Sequence, residues 1–578
     1  MDIYSATIAV SIAVYIAIGN YAGRGIKKLD DYYVAGRRAP TLIIVGTLVA
    51  SLMSSTLFLG EAGFAYDGQA GPYVLWPQAA ASGYVIGAIL FGRYLRRSRA
   101  TTVAEYFGKR FNSSRVQKMA GVTIILALSA YLIAVTQGAA ILLSELTDLT
   151  YVQSLIIAWL SYTTFTMYSG SRGVILTDTL MFLLFTGASV TAAFFVISDF
   201  GGWPSVIEQL VTIEHKPELM SWHGIVGPGT IWPTASDYLI WAIILDISWL
   251  LVYIVGPWQA GRHLMARNEH VVLRSSCAAC LVIVMLQVIV YALGATINLG
   301  NSDIVPYERA MVWASMNMLP EMLGALLLAG IVAAVLSSAS TFLSLVGFSV
   351  SSDVGLYQRR DVAKKLNFTR LMMLLIGTLA LGAALIIPPN IFWLTMFVAT
   401  VFASSWGVVG IMSVWSKKIT AAAAFWGMVA GFVFNIVPKF LDVIDVIYLP
   451  SYLDPALIGL VASLIVVLVV SSRTQVSTEE KEYLAKLHDT PAEELDAAKT
   501  RTSLIAPVLL IANGLIMPFV LINYYVRPYQ RATGTLSADG TLDWATGEVM
   551  LTLSWFFIYV TLGIVAIKLI RKHYLPSH

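Results

Sequence analysis

The sequence predicts an all-α polytopic membrane protein with about 15 transmembrane helices. Three observations predict it. Of 578 residues, 57% are hydrophobic and only 12% charged, against roughly a quarter charged in ordinary globular domains. The mean hydropathy is +0.75. Apolar runs of about 20 residues, the length that crosses a bilayer core at ~1.5 Å per residue, recur from end to end and leave little room for a separate soluble domain.

The expected spans are residues 5–23, 41–62, 71–95, 119–145, 151–168, 174–199, 237–261, 274–299, 320–352, 367–387, 390–415, 419–438, 455–472, 503–525 and 547–570. The first has no basic n-region and no A-x-A-like cleavage site, so it reads as a retained helix rather than a signal peptide. In the second, Ala50-Ser51-Leu52-Met53-Ser54-Ser55-Thr56 is rich in hydroxyls and small side chains, and Gly60, Glu61 and Gly63 follow. Such a stretch unwinds at modest cost, because Ser and Thr can satisfy freed backbone groups. The seventh span holds a matching irregularity at Gly256-Pro257. Broken helices five spans apart are what a five-plus-five inverted repeat requires, and they mark the binding site of many secondary transporters. In the eighth span, Cys277 and Cys280 have no second ligand pair and read as two small packing residues.

Three segments between spans have some size. Residues 200–236 are polar and aromatic and read as an external cap of short helices. Residues 473–502 are charged, and Thr490-Pro491-Ala492-Glu493 reads as a capping box opening a short amphipathic helix. Residues 526–546, with Gly534 and Gly540, read as an exposed external loop.

Orientation follows from Lys and Arg in the loops. With the N-terminus outside and alternating sides, only Lys216, Arg309, Lys439, Arg527 and Arg531 of the 37 basic residues fall outside, leaving 32 on the cytoplasmic side. The C-terminus is then cytoplasmic, and the expected location is the plasma membrane of a bacterium or archaeon. The net charge of +3 is explained by this topology and gives no case for nucleic-acid binding; nothing in the sequence fixes an oligomeric state.

The ninth span carries Ala334, Ser337, Ser338, Ser340 and Thr341 without interruption by charge. Ser337, Ser340 and Thr341 follow i, i+3, i+4 spacing and line one helix face. Ser and Thr are common wherever membrane helices pack closely, but four hydroxyls within five residues suit a dehydrated Na+, a hard cation that prefers neutral oxygen ligands. Intramembrane acids are rare and costly, about 2.5–3.5 kcal/mol or more at a helix centre. Asp178, early in the sixth span, and Asp246, in the middle of the seventh, are therefore functional candidates.

None of the seven His lies mid-span, nor does any Arg or Lys in the first eleven spans, which disfavours a His proton relay and a buried Arg for a substrate carboxylate. No His/Glu metal set or nucleophile–base pair lies in the spans, so the chain does not read as an enzyme. Candidates to line a solute cavity are Ser54, Trp76, Gln78, Thr136, Gln137, Asp246, Trp249 and Tyr253, amide–aromatic mixtures that suit small polar organic solutes.

Several motifs together resemble the sodium/solute symporter family, which includes sodium/proline, sodium/galactose and sodium/sialic acid symporters. Residues 29–38, LDDYYVAGRR, resemble the entry to its first core helix. Ala50, Met53, Phe58, Gly60 and Gly63 fall where that helix is broken. Gly170, Gly173, Thr177 and Asp178 resemble the opening of its fifth core helix, Arg262 the end of the sixth, and Ala334-Val335-Leu336-Ser337-Ser338 the eighth.

The resemblance covers about residues 25–440 and implies a leucine-transporter-type core of ten helices at 41–415. An extra helix and loop at 1–40 would precede it, and additional helices at 416–578 would follow. It implies a main Na+ site at Ala50, Met53, Ala334, Ser337 and Ser338, and a second at Asp178, Ser337, Ser340 and Thr341.

There are departures from the pattern. The proline type has an acid where this chain has Leu52, the sialic acid type has a carboxylate-binding Arg in its third core helix, and the galactose type has polar residues near Trp249 and Val252. The expected function is Na+-coupled import of a small organic solute, an amino acid or amine-bearing compound, by alternating access with two Na+ per cycle. A Na+/monocarboxylate symporter and a transporter-like nutrient sensor are the alternatives.

Overall fold

The computed structural model describes residues 3–24, 26, 28–355 and 361–575, apart from the Phe165 side chain. Among the described residues the regular structure is helical, and the one β-bridge joins Ala39 to Ala266. Among the described residues, twelve helices are long and apolar enough to cross a membrane, and a pair bent by 50°, Thr41–Leu52 with Thr56–Leu75, makes a thirteenth when taken as one span. Large apolar side chains such as Phe194, Leu379 and Phe519 stand exposed, as lipid-facing residues do.

The 33-residue central element Glu321–Asp353 is the most enclosed of these spans. It packs against Ile3–Gly23, Thr41–Leu52, Ser114–Leu146 and, most extensively, Tyr151–Asp199. Its small residues Gly324, Ala325, Ala329, Gly330, Ala333 and Ala334 are all buried. Small side chains let membrane helices approach closely, where packing rather than the hydrophobic effect holds them together.

The expected fifth and sixth spans are two helices within Tyr151–Asp199 that meet at a kink at Gly170, where φ is 51° and ψ −153°. That backbone conformation is essentially confined to glycine, and a Cβ there would lie 2.6 Å from the Tyr32 ring. The short Leu29–Val34 helix buries Tyr32 and Tyr33 against this bend, with the Tyr32 hydroxyl donating to the Met167 carbonyl at 2.8 Å.

The expected third span, 71–95, is a series of short helical pieces, Ala70–Leu75, Gln78–Ala81, Gly83–Gly87, Ala88–Gly92 and Arg93–Arg97. Pro77 interrupts the hydrogen-bond ladder, and Gly83 sits so close to Ala235–Val255 that a Cβ would lie 2.6 Å from the Leu250 carbonyl. The seventh span divides at Gly256 into Ala235–Val255 and Pro257–Met265 and runs past its expected end at 261. Its second half buries Arg262 and His263, each 2% exposed.

The C-terminal region forms two antiparallel pairs, Ala421–Val443 with Pro455–Arg473 and Ile505–Leu521 with Gly547–Tyr574. The second pair is fastened to the broken third span. Trp555 Nε1 donates to the Leu75 carbonyl at 2.8 Å, and the Gln78 amide donates to Ser554 Oγ at 2.6 Å. Cys280 Sγ lies 3.2 Å from the Ala81 carbonyl in the same seam, and both cysteines are free and buried.

Two expectations for the segments between spans change. The capping box does not form at Thr490–Glu493. Directly after Pro491 comes a 3-10 turn, Ala492–Glu494, where Arg97 donates to Thr490 Oγ1 at 3.4 Å and the Glu269 backbone N–H donates to Glu494 at 3.1 Å; a short helix, Ala497–Ser503, opens later on an Asp496 cap. The capped helix is Thr478–His488 instead, opened by Ser477 with Glu480. Residues 526–546 are not a free loop. Arg527–Thr533 is helical and packs against Trp203–Val211 of the 200–236 segment, with Arg531 paired to Glu208 at 2.9 Å.

Candidate functional site

The site forms where the Thr41–Leu52 helix stops. Met53 has φ −72° and ψ 86°, which turns the chain out of the helix, and helical structure resumes at Thr56. The last turn of a helix leaves carbonyls without intrahelical partners, and its end carries partial negative charge. Ala50 and Met53 lie in this terminal stretch, both fully buried. Nearby hydroxyls satisfy the break only in part: Ser54 Oγ accepts from the Thr56 N–H at 3.0 Å, while Ser55 Oγ is buried without a protein partner.

Glu321–Phe348 supplies Ala334, Ser337, Ser338, Ser340 and Thr341, all 0% exposed. Their hydroxyls do different things. Ser337 Oγ donates to Asp178 Oδ1 at 2.7 Å. Ser340 Oγ donates to the Ser337 carbonyl at 2.8 Å. Ser338 Oγ is buried without a hydrogen-bond partner among the protein atoms.

Asp178 is also fully buried, so it does not reach water at a membrane interface. Thr47 Oγ1 donates to its Oδ2 at 2.5 Å, and Arg262 Nη2 lies 3.4 Å from the same oxygen. Arg262 Nη2 also donates to Thr341 Oγ1. Asp178, Ser337 and Thr341 are thus joined through hydrogen bonds that include a protein cation, while Ser340 bonds the Ser337 backbone. Sequence reasoning missed this use of Arg262 because the residue lies just past an apolar run, where Lys and Arg ordinarily reach cytoplasmic water. It missed Thr47 too, a single hydroxyl in an apolar helix.

A separate cavity is lined from the resumed half of the broken helix, from Ala70–Leu75, Ala235–Val255, Glu269–Thr296 and Ile391–Trp415. Its lining includes Trp76, Asp246, Trp249 and Tyr253, four of the eight residues expected there, together with Glu61 and Tyr291. Asp246 Oδ2 is buried and without a hydrogen-bond partner. Tyr291 donates its hydroxyl to Glu61, and Gln287 Nε2 donates to the Tyr291 oxygen at 3.1 Å. Trp249 Nε1 points to Met396 Sδ at 3.3 Å.

The other four expected residues are not in its lining. Gln78 turns to the C-terminal pair, as described. Gln137 Nε2 donates to the Ile387 carbonyl at 2.7 Å, Thr136 bonds Tyr162 at 3.1 Å, and Ser54 belongs to the helix break. Polar type and mid-span position do not distinguish a cavity-facing amide from one that holds a neighbouring helix. Next to the cavity, Phe64 stacks on Phe392 at 4.2 Å and meets Trp232 edge-on at 5.9 Å, an aromatic plug that joins the first broken helix, the 200–236 segment and Ile391–Trp415.

This architecture has known counterparts. A Na+-coupled sialic acid symporter, solved substrate-bound and outward-open, superposes with a TM-score of 0.69 at 17% identity, covering 83% of this chain and 99% of its own. A nucleobase-cation-symport-1 family transporter in a closed conformation superposes with a TM-score of 0.52 at 13% identity, covering 79% and 98%. These likenesses concern the fold.

In sequence, the chain is 24% identical to the sodium/pantothenate symporter of Escherichia coli (strain K12) over 380 residues, 64% of this chain and 76% of that protein. It is 26% identical to the sodium/proline symporter of Haemophilus influenzae (strain ATCC 51907 / DSM 11121 / KW20 / Rd) over 451 residues, 74% and 86% of the two. The model of the sodium:solute symporter family matches residues 32–431, about two thirds of the chain. With the broken helix, the serine cluster and the separate cavity in place, this protein belongs to the sodium:solute symporter family.

Proposed function

We propose that this Na+-coupled symporter of a small solute holds its ion between the end of Thr41–Leu52 and the Glu321–Phe348 helix. The ligands would be the carbonyls of Ala50, Met53 and Ala334 and the hydroxyls of Ser337 and Ser338. The observation that carries this reading is Ser338 Oγ, buried without a protein partner. Buried polar groups in native proteins are almost always paired, and a Na+ beside the open helix end would pair this one.

Na+ bound here would draw the broken helix and Glu321–Phe348 together and favour the outward-open state. Its loss to the cytoplasm would release them, giving inward transport by alternating access. Uptake into proteoliposomes tests this. Ser338→Ala should raise the Na+ concentration needed for half-maximal uptake about tenfold or more, and Na+-independent uptake by the unaltered protein would overturn the reading.

A second Na+ would use Asp178, Ser337, Ser340 and Thr341. In the conformation described, Arg262 neutralises Asp178 and occupies the Thr341 hydroxyl. Entry of a second ion therefore requires this guanidinium to withdraw.

We read the core as the leucine-transporter-type five-plus-five repeat at 41–415, flanked by 1–40 and 416–578. The broken third span and the first half of Tyr151–Asp199 would raise the thirteen spans to fifteen. Fifteen spans place the N-terminus outside and the C-terminus inside a bacterial or archaeal plasma membrane, consistent with the lopsided distribution of basic residues. The solute would be an amino acid or another amine-bearing compound, on the strength of Asp246 in the cavity. A sensor reading, with residues 473–502 as the output, is less favoured. That segment is fastened onto the membrane domain, with Arg97 donating to the Leu487 carbonyl at 2.6 Å and His488 bonding the Val414 carbonyl at 2.8 Å.

A further inference from the structure

The cavity between Ala70–Leu75, Ala235–Val255 and Glu269–Thr296 is lined by two carboxylates, Glu61 and Asp246, and among the described residues no Lys, Arg or His lines it. Intramembrane acids persist where they are paired or functional. Neither is paired with a cation here. Glu61 is held by neutral groups only: it accepts from the Tyr291 hydroxyl and from the Gln287 amide, which also donates to the Tyr291 oxygen. Asp246 Oδ2 has no partner among the described residues.

Arg262 is engaged with Asp178 and Thr341, and Lys216 with Asn298 Oδ1 at 2.8 Å and the Tyr66 carbonyl at 3.0 Å.

Much of the rest of the wall is aromatic. Tyr73, Trp76, Trp241, Trp249, Tyr253 and Tyr291 all line the cavity. Tyr73 meets Tyr291 edge-on at 5.0 Å, and Trp249 leans on Tyr253 at 5.5 Å. Aromatic faces attract cations, most strongly when both are out of water. The same wall offers a solute carboxylate no basic group and sets it near two acids.

We infer that the co-transported solute is an organic cation, an amine or quaternary ammonium compound that carries no carboxylate. Asp246 and Glu61 hold its charge, and the tryptophan and tyrosine faces hold its hydrocarbon. This rests on the symport reading above and narrows it, because amino acids and monocarboxylates are then excluded.

The test is a thermal-shift titration of the purified full-length protein in NaCl and in KCl. The probes come in groups that differ by a carboxylate: choline against glycine betaine, and 1,4-diaminobutane against 4-aminobutyrate and butyrate. The expected result is that choline or diaminobutane raises the melting temperature in NaCl, while the carboxylate-bearing counterparts leave it unchanged. Asp246→Asn and Glu61→Gln should each weaken cation binding at least tenfold while retaining the shift produced by Na+ alone, which also reports that the variants are folded. Asp246→Glu should restore part of the binding.

Stabilisation by betaine, aminobutyrate or butyrate equal to that of the cations overturns the inference. So does the absence of any response to the cations, or unchanged cation binding in both variants. If Na+ alone gives no shift and probe responses are equal in KCl, it is the coupling reading that fails. The choline–betaine comparison still decides the class of solute.

Discussion

Ser337 and Ser338 are adjacent, equally buried and chemically identical, yet their substitution should have opposite consequences. Ser337 Oγ donates to the Asp178 carboxylate, and a hydrogen bond to a charged group contributes about 1.5–3 kcal/mol. Ser337→Ala should lower the melting temperature whether or not Na+ is present. Ser338 Oγ has no protein partner, and an unsatisfied buried hydroxyl costs about 1–3 kcal/mol. Ser338→Ala should therefore leave the Na+-free protein as stable or more stable, and should diminish the added stability that Na+ confers. A tenfold loss of affinity removes about 1.4 kcal/mol of that increment at saturating Na+. Thermal melts of both variants with and without NaCl check this; equal losses in both conditions for Ser338→Ala would mean that its hydroxyl is structural. Both serines and Asp178 are legible in the sequence, because hydroxyls and acids stand out in apolar runs. Arg262 is not. Its burial follows from how Pro257–Met265 tucks beneath the core after the Gly256 break, and no local pattern encodes that.

The helices divide in the same way between what periodicity reveals and what packing decides. The apolar runs locate the long elements well, since their length is set by the bilayer. They fail where a helix is shaped by a close neighbour. The third span reads as one run of 71–95 but is cut into short pieces by Pro77 and by its approach to Ala235–Val255. The reverse holds at 169–173. Its glycines suggest a turn between two spans, yet a single residue, Gly170, takes up the whole change of direction. Gly170→Ala would force a side chain into a backbone region that costs about 1–3 kcal/mol for non-glycine residues, and would drive its Cβ against the Tyr32 ring. The expected outcome is a lower melting temperature and a lower yield of folded protein. Gly187 lies in the same element, and a Cβ added there would meet nothing within 4 Å, so it should accept Ala without loss. Comparing the two melts separates the bend from a general effect of glycine replacement in this helix.

Across the whole molecule, the charge carried per solute distinguishes the two ways of using the Asp178 cluster. If Arg262 withdraws and a second Na+ binds, each cycle moves two Na+ and, for a monovalent organic cation, three charges. If Arg262 stays, one Na+ and two charges move. The membrane potential contributes about 2.3 kcal/mol per charge per 100 mV, so the two cases differ in driving force, roughly 6.9 against 4.6 kcal/mol. Both exceed what a zwitterionic solute would draw from the same number of ions, which is a physical advantage of an anionic cavity in a Na+-coupled carrier. We expect three charges per solute, from parallel measurement of current and tracer flux in proteoliposomes. Ser340→Ala is the discriminating variant, because its hydroxyl makes only a local bond to the Ser337 carbonyl and its loss leaves the Arg262–Asp178 pair intact. It should lower the ratio toward two while uptake continues. A ratio of two in the unaltered protein, unchanged by Ser340→Ala, would mean that the guanidinium never leaves Asp178 and that the cluster is a structural clamp between Tyr151–Asp199, Pro257–Met265 and Glu321–Phe348.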